Sequence, residues 1–448
     1  MDPKQTNAHA SERTRIRSFI SQLPLSLSSA MASPSSPFGP LHLSCTDTLW
    51  PQELVRLLVH EHVLGYEKYV HQDQRLLDPR LWKRHTQRDN LQVYCQQPAI
   101  QRKNNSAGER GSRRRLFRSR RDTDVGTALA EMPTLLLVGT ITGSLNDFMY
   151  GVLNPTADSM RLKSSYVGDK FANCAVLATL KRPTPNDPFH SHTLKWFEGD
   201  HPFIFRPIVK NRDFVFMKAT GVAELADGER VGYHVMHSVT FPGAREMNGN
   251  IRAHMAVCAF YRQHCDGVVE VFTKTTANPG GHVAPAIAAK YGATALLSAQ
   301  KLTDCAHAKK LAWAMAGRTR LTSSTSSSSS STREFRSNSD GVCFNCGGAA
   351  SISLLSRSDV CALCMRPICS ACKVKKSLRF LSWTGGLTKH KTRFCGPCAS
   401  DAMRLDARLL ACEEFGCDRP AQRSQRLTAH LDGITASDPM LYNSVRAR

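Results

Sequence analysis

Long apolar runs are missing from this sequence: no stretch approaches the roughly 18 apolar residues that a membrane helix requires. A secretory leader is missing as well, because residues 1–36 surround one short apolar patch, Phe19–Leu27, with Ser, Pro and charged residues and offer no small-residue cleavage site. The 16 cysteines are not spread through a short chain behind such a leader, which argues against a secreted disulfide framework. We therefore expect a cytoplasmic protein that meets membranes from the aqueous side.

Catalytic signatures are missing too. The sequence has no nucleophile elbow, no Gly-rich phosphate loop and no His-Glu-x-x-His helix. His234, His237 and His254 fall in neighbouring predicted strands, but isolated histidines on strands are more often structural than catalytic. The Cys-x-x-Cys turns fit metal binding better than redox chemistry, because one coordination scheme uses all of them. We expect a protein that is not an enzyme.

Acidic residues are scarce: 37 Asp and Glu against 59 Lys and Arg give a formal charge of +22. Eight thiolates holding two Zn²⁺ would change this by −8 + 4 = −4, to about +18, so a large positive excess remains. Such a charge favours an anionic partner, either a phospholipid surface or a nucleic acid. Interleaved aromatic residues, which base stacking uses, are lacking, and this argues against nucleic acid.

The basic residues are concentrated between Gln101 and Asp122, where nine Lys or Arg accompany a single acid, Glu109. Such a run is typical of a solvated loop; a nuclear-import or anionic-surface patch is the alternative. Residues 1–37 are predicted to be disordered, because their Ser, Pro, Gln and charged residues bury too little surface to offset chain entropy.

From residue 38 the pattern changes, and one or two helices are predicted between Phe38 and Tyr94 from apolar residues at helical spacing. Strand-like runs follow, separated by turns such as Asp227-Gly228 and Asp266-Gly267 that favour antiparallel pairing. The runs are Thr134–Ile141, Ala175–Leu180, His192–Phe197, Arg212–Leu225, Glu229–Phe241, Ile251–Tyr261 and Val268–Thr275.

After the turn at Asn278–Gly281, residues Ala284–Met315 are predicted to form one long Ala-rich helix. Its buried face is expected to hold Ile287, Tyr291, Ala295, Leu302 and Cys305. The Ser-rich tract Thr322–Thr332 marks a linker, assigned to residues 317–339. A cysteine-rich domain over 340–400 and a tail over 401–448 follow. In the tail we predict a helix near Ser400–Leu410 and plain thiols at Cys412 and Cys417.

Four Cys-x-x-Cys pairs lie within the cysteine-rich domain. Their spacing is Cys343-x2-Cys346, x14, Cys361-x2-Cys364, x4, Cys369-x2-Cys372, x22, Cys395-x2-Cys398. Each turn brings two thiolates onto one ion and tetrahedral Zn²⁺ takes four, so eight cysteines predict two zinc ions. In a cross-brace the first and third pairs share one ion, and the second and fourth share the other. Two sequential sites are the alternative.

The core from Cys361 to Cys372, with four residues between its two pairs, resembles that of a FYVE zinc finger. A RING finger would have a His among its central ligands and a shorter interval. The resemblance implies a recognition scaffold for a phosphoinositide, but the family's Trp-x-x-Asp element has no counterpart in Arg336–Asp340. Of its basic elements only Arg357, before Cys361, and Arg393, before Phe394-Cys395, remain as lipid-headgroup candidates. We therefore expect contact with an anionic membrane or with a protein rather than tight recognition of one lipid.

The larger domain, residues 38–316, resembles a START-like lipid-binding domain of the kind joined to FYVE-related fingers. The resemblance implies an α+β helix-grip fold, in which a curved antiparallel sheet wraps a long C-terminal helix and leaves a tunnel for one lipid; the basic run at 101–122 would be an insertion. The motifs that carry it are Val138–Asp147, Pro185–Phe189 leading to Lys195-Trp196, Asn211–Phe214, Gly228–Tyr233 with His237-Ser238, and Asn278–Gly281.

The tunnel walls follow from strand alternation, although alternation alone leaves open which parity faces inward. Candidate wall residues are Met217, Ala219, Tyr233, Val235, Met255 and Val257. A filled core without a cavity is the alternative. The sequence thus favours a lipid-binding, membrane-associated adaptor, intracellular and peripheral on endosomal or other anionic membranes. A protein-interaction scaffold without lipid and a nucleic-acid-binding zinc-finger protein are the other two hypotheses.

Overall fold

The computed structural model describes residues 36–39, 41, 43–97, 120–130, 132–169, 171–199, 210–241, 243–324, 342–349, 360–381 and 386–416. Residues 1–35 of the segment 1–37 that was predicted to be disordered lie outside the described residues. So do most of the basic run and the tail beyond residue 416. Arg357 and Cys417 also lie outside them. No helix among the described residues is both long and apolar enough to cross a bilayer.

One large sheet organises the region between residues 82 and 278. Its strands follow the order β1-β2-β3-β10-β9-β7-β6-β5-β4, each antiparallel to its neighbours, while short β8 pairs with β6 in parallel. The strands are β1 (Trp82–Arg88), β2 (Leu91–Gln96), β3 (Thr134–Thr142), β4 (Phe171–Lys181), β5 (Ser191–Gly199), β6 (Arg212–Glu224), β7 (Arg230–Ser238), β8 (Ile251–Arg252), β9 (His254–Cys265) and β10 (Val268–Asn278).

Helices cover both faces of this sheet, and a second small sheet follows it. The helices are α1 (Cys45–Glu67, continued by a π turn at Lys68–Gln72), α2 (Arg120–Ala130), α3 (Leu145–Val152), α4 (Ala157–Val167), α5 (Pro285–Leu297), α6 (Leu302–Ser324), α7 (Gly396–Arg404) and α8 (Ala407–Phe415). The small sheet is the hairpin of β11 (Lys373–Leu381) and β12 (Leu387–Cys395). We call β1–β10 with α1–α6 the sheet domain, and residues 342–404 the cysteine-rich segment.

The two faces of the large sheet bury different helices. The inner face, which carries Leu137, Ala259 and Val271, packs against α3, α5 and α6 in one apolar cluster. The outer face, which carries Phe260 and Phe272, packs against α1. Tyr66 of α1 lies with its ring centroid 5.5 Å from Phe260 and 5.4 Å from Phe272. An antiparallel sheet with C-terminal helices against one face is the helix-grip arrangement that the START resemblance implies.

The predicted C-terminal helix is present with two corrections. It is interrupted by a 3-10 turn at Ser298–Lys301, and α6 continues to Ser324, into the segment predicted as linker. The predicted buried face is right for Leu302 and Cys305 on α6 but wrong on α5, where Ile287 is 50% and Tyr291 74% exposed. Alanines face the sheet instead, and Gly292 lies so close to it that a Cβ there would be 2.9 Å from Leu135 Cδ1. Small side chains allow this close approach, which a large aromatic would prevent.

The segment before residue 97 contains strands that the helical pattern did not predict. β1 and β2 form a hairpin through Asp89, whose φ of 48° is a left-handed turn conformation that Asp tolerates. β2 then pairs with β3 at Gly139, where an added Cβ would lie 2.0 Å from the carbonyl oxygen of Asn90. Only glycine fits this approach, at a φ of 141°.

The candidate wall residues divide between the faces of the sheet. Met217, Ala219, Tyr233 and Val235 belong to the outer-face cluster with α1, so they do not face the C-terminal helices. Met255 and Val257 alternate with Ala259 and Tyr261 along β9 and therefore lie on the inner face. Strand alternation grouped the residues within each strand correctly, but the prediction placed all six residues on one face of the sheet.

Candidate metal centre

Eight cysteine thiols gather into two quartets. The first consists of Cys343, Cys346, Cys369 and Cys372, and the second of Cys361, Cys364, Cys395 and Cys398. Within each quartet the sulfur atoms all lie within 4.8 Å of one another. The first pair along the chain thus joins the third and the second joins the fourth, which is the interleaved grouping of a cross-brace rather than two sequential sites.

The distances within the quartets fit a metal ion. Sulfurs bound to tetrahedral Zn²⁺ at about 2.3 Å lie about 3.8 Å from one another. The Sγ atoms of Cys346 and Cys369 are 3.7 Å apart, and those of Cys364 and Cys395 are 3.9 Å apart. Both quartets therefore have the donor type and the spacing to hold one metal ion each.

Two similar turns build the quartets. In the first, the backbone N–H of Gly347 donates to the carbonyl of Cys343, and the strand bridge Val342–Ala349 closes the loop. In the second, the N–H of Met365 donates to Cys361 and the bridge is Val360–Pro367. The residue after the second cysteine is left-handed in both, with φ of 69° at Gly347 and 62° at Met365. This conformation turns the two thiols of each pair toward the same side.

Hydrogen bonds favour the thiolate form of at least one cysteine in each quartet, Cys343 in the first and Cys361 in the second. Backbone donation, chiefly from the N–H of Cys369, lowers the pKa of Cys343 to about 6. Donation from the Cys398 thiol lowers the pKa of Cys361 to about 4 and correspondingly raises that of Cys398. Cys361 and Cys395 are buried whereas Cys346 is exposed, so the first quartet is the more accessible of the two.

The cysteine-rich segment packs directly on α6 of the sheet domain. Leu311 of α6 shares a buried cluster with Leu378, Phe380 and Phe394 of the β11–β12 hairpin. The Nζ of Lys310 donates to the carbonyl of Met403 on α7 over 2.7 Å and lies 2.5 Å from Asp147 Oδ1 on α3. The two regions thus form a continuous packed structure, which the Ser-rich tract between them did not predict.

Helix α8 extends this packing. The single helix predicted near Ser400–Leu410 is in fact two, because α7 ends at Arg404 and α8 begins at Ala407. Leu410 and Ala411 belong to the inner-face cluster. Glu414 accepts a hydrogen bond of 2.8 Å from the hydroxyl of Tyr150 and pairs with Lys309 at 3.0 Å. Cys412 is buried and lies outside the quartets; its thiol donates to the carbonyl of Thr184.

One headgroup candidate can be placed. Arg393 is exposed on β12, opposite Lys375 of β11, and its carbonyl accepts from the N–H of Ala362 over 2.8 Å. The same face of the hairpin carries Arg379 opposite Lys389, and Lys391 opposite Ser377. Basic side chains from two strands therefore meet on one face.

The three strand histidines are not brought together, because His234 lies on the inner face while His237 and His254 have the opposite parity. Sequence reasoning missed a different group, the buried lysines Lys195 and Lys218. Both stand between apolar neighbours in a strand, and an isolated lysine within such a run is the signal that could have found them.

No protein-family model matches this chain, and no curated protein matches it. Similar solved structures include human StAR-related lipid transfer protein 5 (10% identity, TM-score 0.36, covering 56% of this chain and 97% of that chain). They also include the lipid transfer and protein localization domain of human StarD13 (14%, 0.32, 59% and 96%) and a STAR-related lipid transfer protein from Xanthomonas axonopodis (14%, 0.33, 50% and 98%). With TM-scores below 0.5 these likenesses are too weak to assign a fold or a ligand, so the fold is assigned from the strand order of this chain.

Proposed function

We propose that this chain is a non-catalytic lipid-binding adaptor. The sheet domain would hold one apolar lipid between the inner face and helices α5 and α6, and the cysteine-rich segment would contact a membrane or a protein. The supporting observation is the continuous antiparallel sheet with the C-terminal helices packed on one face only. A sheet that curves around a helix without closing on it can leave room for a ligand between the two.

The cysteine-rich segment would bind two Zn²⁺ ions as a FYVE-related cross-brace finger. All eight predicted ligands are cysteines, and closed four-cysteine sites are typical of structural rather than catalytic zinc. Zinc would therefore hold the fold of the segment and leave recognition to its surface.

The basic face of the β11–β12 hairpin supports contact with an anionic membrane. Like charges directly opposite each other on a hairpin are destabilising, and Lys375 with Arg393 and Arg379 with Lys389 form two such pairs. An anionic surface would relieve this repulsion, at roughly 1 kcal/mol per basic residue near the membrane. Arg393, together with Arg357, would then contact lipid phosphates on endosomal or other anionic membranes facing the cytoplasm.

Lipid extraction and zinc analysis on one purified sample test the two halves of this proposal. The full chain should release close to one lipid per protein and two equivalents of zinc. A protein that carries zinc but shows no lipid, and takes up none from vesicles, would refute lipid binding while leaving the finger in place.

Vesicle flotation tests the membrane contact. The wild-type protein should float with vesicles that contain phosphatidylserine. The combined substitutions Lys375→Glu, Lys389→Glu and Lys391→Glu should abolish this co-flotation. A matched control places the same three charge reversals on β1, at Lys83, Arg84 and Arg88, which are also exposed. Equal loss in both triple variants would mean that net charge, and not the hairpin, drives binding.

A protein partner for the segment is the second candidate function. Phe344 is 53% and Met365 52% exposed on the two cysteine turns, and the guanidinium of Arg366 lies 3.7 Å from the centre of the Phe344 ring. Exposed apolar side chains next to an arginine are typical of protein interfaces. Failure of the wild-type protein to float with anionic vesicles at physiological salt would favour this scaffold role.

A further inference from the structure

Two lysines on the inner face of the sheet extend to the C-terminal end of α3. Lys195 of β5 and Lys218 of β6 are 1% and 4% exposed. Lys195 Nζ donates to Asn154, to its carbonyl over 2.5 Å and to its Oδ1 over 3.2 Å. Lys218 Nζ donates to the carbonyl of Val152 over 2.9 Å and also to Asn154 Oδ1. Two buried lysine amino groups thus converge on one amide oxygen.

This pair lacks a compensating negative charge. Within the described residues no carboxylate bonds either lysine, and Asp169, an acid that acts on Lys218, pairs with Lys163 at 3.3 Å. The C-terminal end of α3, which the two lysines approach, offers the equivalent of about half a negative charge. That suits one cation but not two. Buried charges in proteins are ordinarily paired, because an unpaired one is costly.

Unused donors remain at the same place. An ammonium group has three N–H donors, and each lysine uses two of them on the acceptors named above. On the neighbouring strand β7, His234 is paired across from Thr220 and lies on the same face as Lys218. Its side chain is buried, and its Nε2 has no hydrogen-bond partner among the described residues. Buried polar atoms without a partner are rare and call for one.

Burial, and secondarily repulsion between positive charges, act on all three groups. Burial, together with the charge of Lys163, lowers the pKa of Lys195 to about 7. Burial and the charge of Lys195 hold the pKa of Lys218 well below its usual range, and burial and Lys218 do the same for His234. An anion within hydrogen-bonding distance would offset these effects and stabilise the protonated groups.

We propose that Lys195, Lys218 and His234 form an internal site for the oxyanion headgroup of a lipid, either a carboxylate or a phosphate monoester. The apolar chain of the lipid would lie along the inner face toward Met255 and Val257. The inference rests on the proposed lipid-binding function and makes it specific: the ligand is anionic, and its charged end is held inside the protein.

Three ligands with the same oleoyl chain test this proposal on the full-length protein by native mass spectrometry. They are oleic acid, oleoyl lysophosphatidic acid and neutral monooleoylglycerol. At least one of the two anionic ligands should bind at least about 10-fold more tightly than the neutral one. Comparing oleic acid with oleoyl lysophosphatidic acid then shows whether the site prefers a carboxylate or a phosphate monoester. Lys195→Met and Lys218→Met should each weaken the anionic ligand about 10-fold, the equivalent of one charge-assisted hydrogen bond, and leave monooleoylglycerol unchanged.

Controls separate binding from folding. Lys181→Met removes an exposed lysine of β4 and should alter neither affinity. Lys218→Gln keeps a hydrogen-bond donor for Val152 while removing the charge, and it replaces Lys218→Met if that variant does not fold. Equal affinity of the wild type for all three ligands, or variants that keep the anionic preference, would overturn the inference and leave lipid binding intact. If the protein binds none of the three ligands, the proposed lipid-binding function is overturned as well.

Discussion

The hydroxyl of Tyr166 accepts a hydrogen bond of 2.8 Å from the backbone N–H of Arg379, and the guanidinium of Arg379 lies 4.8 Å from the centre of the Tyr166 ring. Tyr166 belongs to α4 of the sheet domain and Arg379 to β11 of the cysteine-rich segment. Strand β11 is therefore anchored to the sheet domain by a side chain that accepts a hydrogen bond from a backbone N–H on the edge of the hairpin. Burial raises the pKa of Tyr166 to about 12, so the hydroxyl stays protonated at neutral pH.

Replacing Tyr166 by Phe should lower the free energy of unfolding by about 1 kcal/mol, because the substitution removes one acceptor and leaves the N–H of Arg379 without it. Urea unfolding at neutral pH measures the change. Tyr291→Phe is the matched control, since the Tyr291 side chain is 74% exposed and should contribute nothing measurable. An equal loss in both variants would contradict a specific role for the Tyr166 contact.

Removing metal from the quartets should destabilise the sheet domain as well as the cysteine-rich segment. Phe394 lies directly before Cys395 and packs with Leu311 of α6, so loss of the second quartet would expose part of α6. We expect a strong chelator to lower the melting temperature of the sheet domain, measured by near-ultraviolet circular dichroism of its aromatic residues. An unchanged melting temperature in the metal-free protein would contradict this coupling.

Cysteine substitutions sharpen the same test. Cys361→Ser should reduce bound zinc from two equivalents to one and lower stability, because Cys361 is buried in the cluster shared with α6. Cys265→Ser is the control, because Cys265 is an exposed thiol on β9 that belongs to neither quartet. Loss of zinc in the Cys265 variant would indicate metal bound elsewhere.

Glu270 holds α1, and the segment that follows its π turn, onto the outer face. Its carboxylate accepts from Arg75 over 2.6 Å, from Arg262 over 3.0 Å and from the hydroxyl of Tyr66 over 3.1 Å. Burial alone would raise the pKa of Glu270, but the hydrogen bond and charge of Arg75, with the charge of Arg262 and the hydrogen bond from Tyr66, outweigh it and lower the pKa. Glu270→Gln should therefore cost about 2 kcal/mol at pH 7.

The sign of the pH dependence follows from the lowered pKa of Glu270. The charged carboxylate contributes stability above its unfolded pKa of about 4.3, and this contribution is lost as the pH falls through the lower, folded value. The difference between wild type and Glu270→Gln, measured by urea unfolding, should thus be full at pH 7 and shrink below about pH 4. Glu53→Gln, which removes an exposed carboxylate on α1, is the control, and a difference that grows in acid would contradict the assignment.

Local patterns in the sequence were sufficient for several elements. The strand runs from Thr134 to Thr275 lie within the observed strands or differ from them by a few residues at their ends, because alternating apolar residues and Gly turns are local signals. The interleaved grouping of the cysteines also agrees with the expected cross-brace, since the short interval between Cys364 and Cys369 favours it. Zinc itself, the FYVE relationship and the headgroup role of Arg357 and Arg393 stay predictions.

Tertiary choices were beyond the sequence. Tyr233 and Val257 each fit the alternation of their own strand, yet they lie on opposite faces of the sheet. Alternation does not say which face α1 covers and which face α5 covers, because that depends on tertiary packing. Tyr291 was expected in the core because it has helical spacing, but the tight contact at Gly292 turns the alanine side of α5 to the sheet. The contact of the hairpin with α4 uses Tyr166, which lies more than 200 residues before Arg379, and no local pattern reveals it.

The crossing of α3 and α6 depends on Gly151. A Cβ at this position would lie 2.1 Å from the carbonyl oxygen of Leu302, which is backbone and cannot rotate away. Gly151→Ala should therefore force the helices apart and cost about 1 to 3 kcal/mol in unfolding free energy. Gly65→Ala on α1 is the matched control: nothing lies within 4 Å of its added Cβ, and loss of backbone entropy in the unfolded chain should stabilise it by about 0.4 to 1 kcal/mol.

Because α3 ends at the lysine pair, the Gly151 variant also tests whether helix position matters for the interior site. If the displaced helix moves Val152 and Asn154 away from Lys218 and Lys195, binding of an anionic oleoyl ligand should change while the Gly65 variant binds as the wild type does. A Gly151→Ala protein as stable as the wild type in urea would contradict the close contact, in which an added Cβ at residue 151 would lie 2.1 Å from the carbonyl oxygen of Leu302.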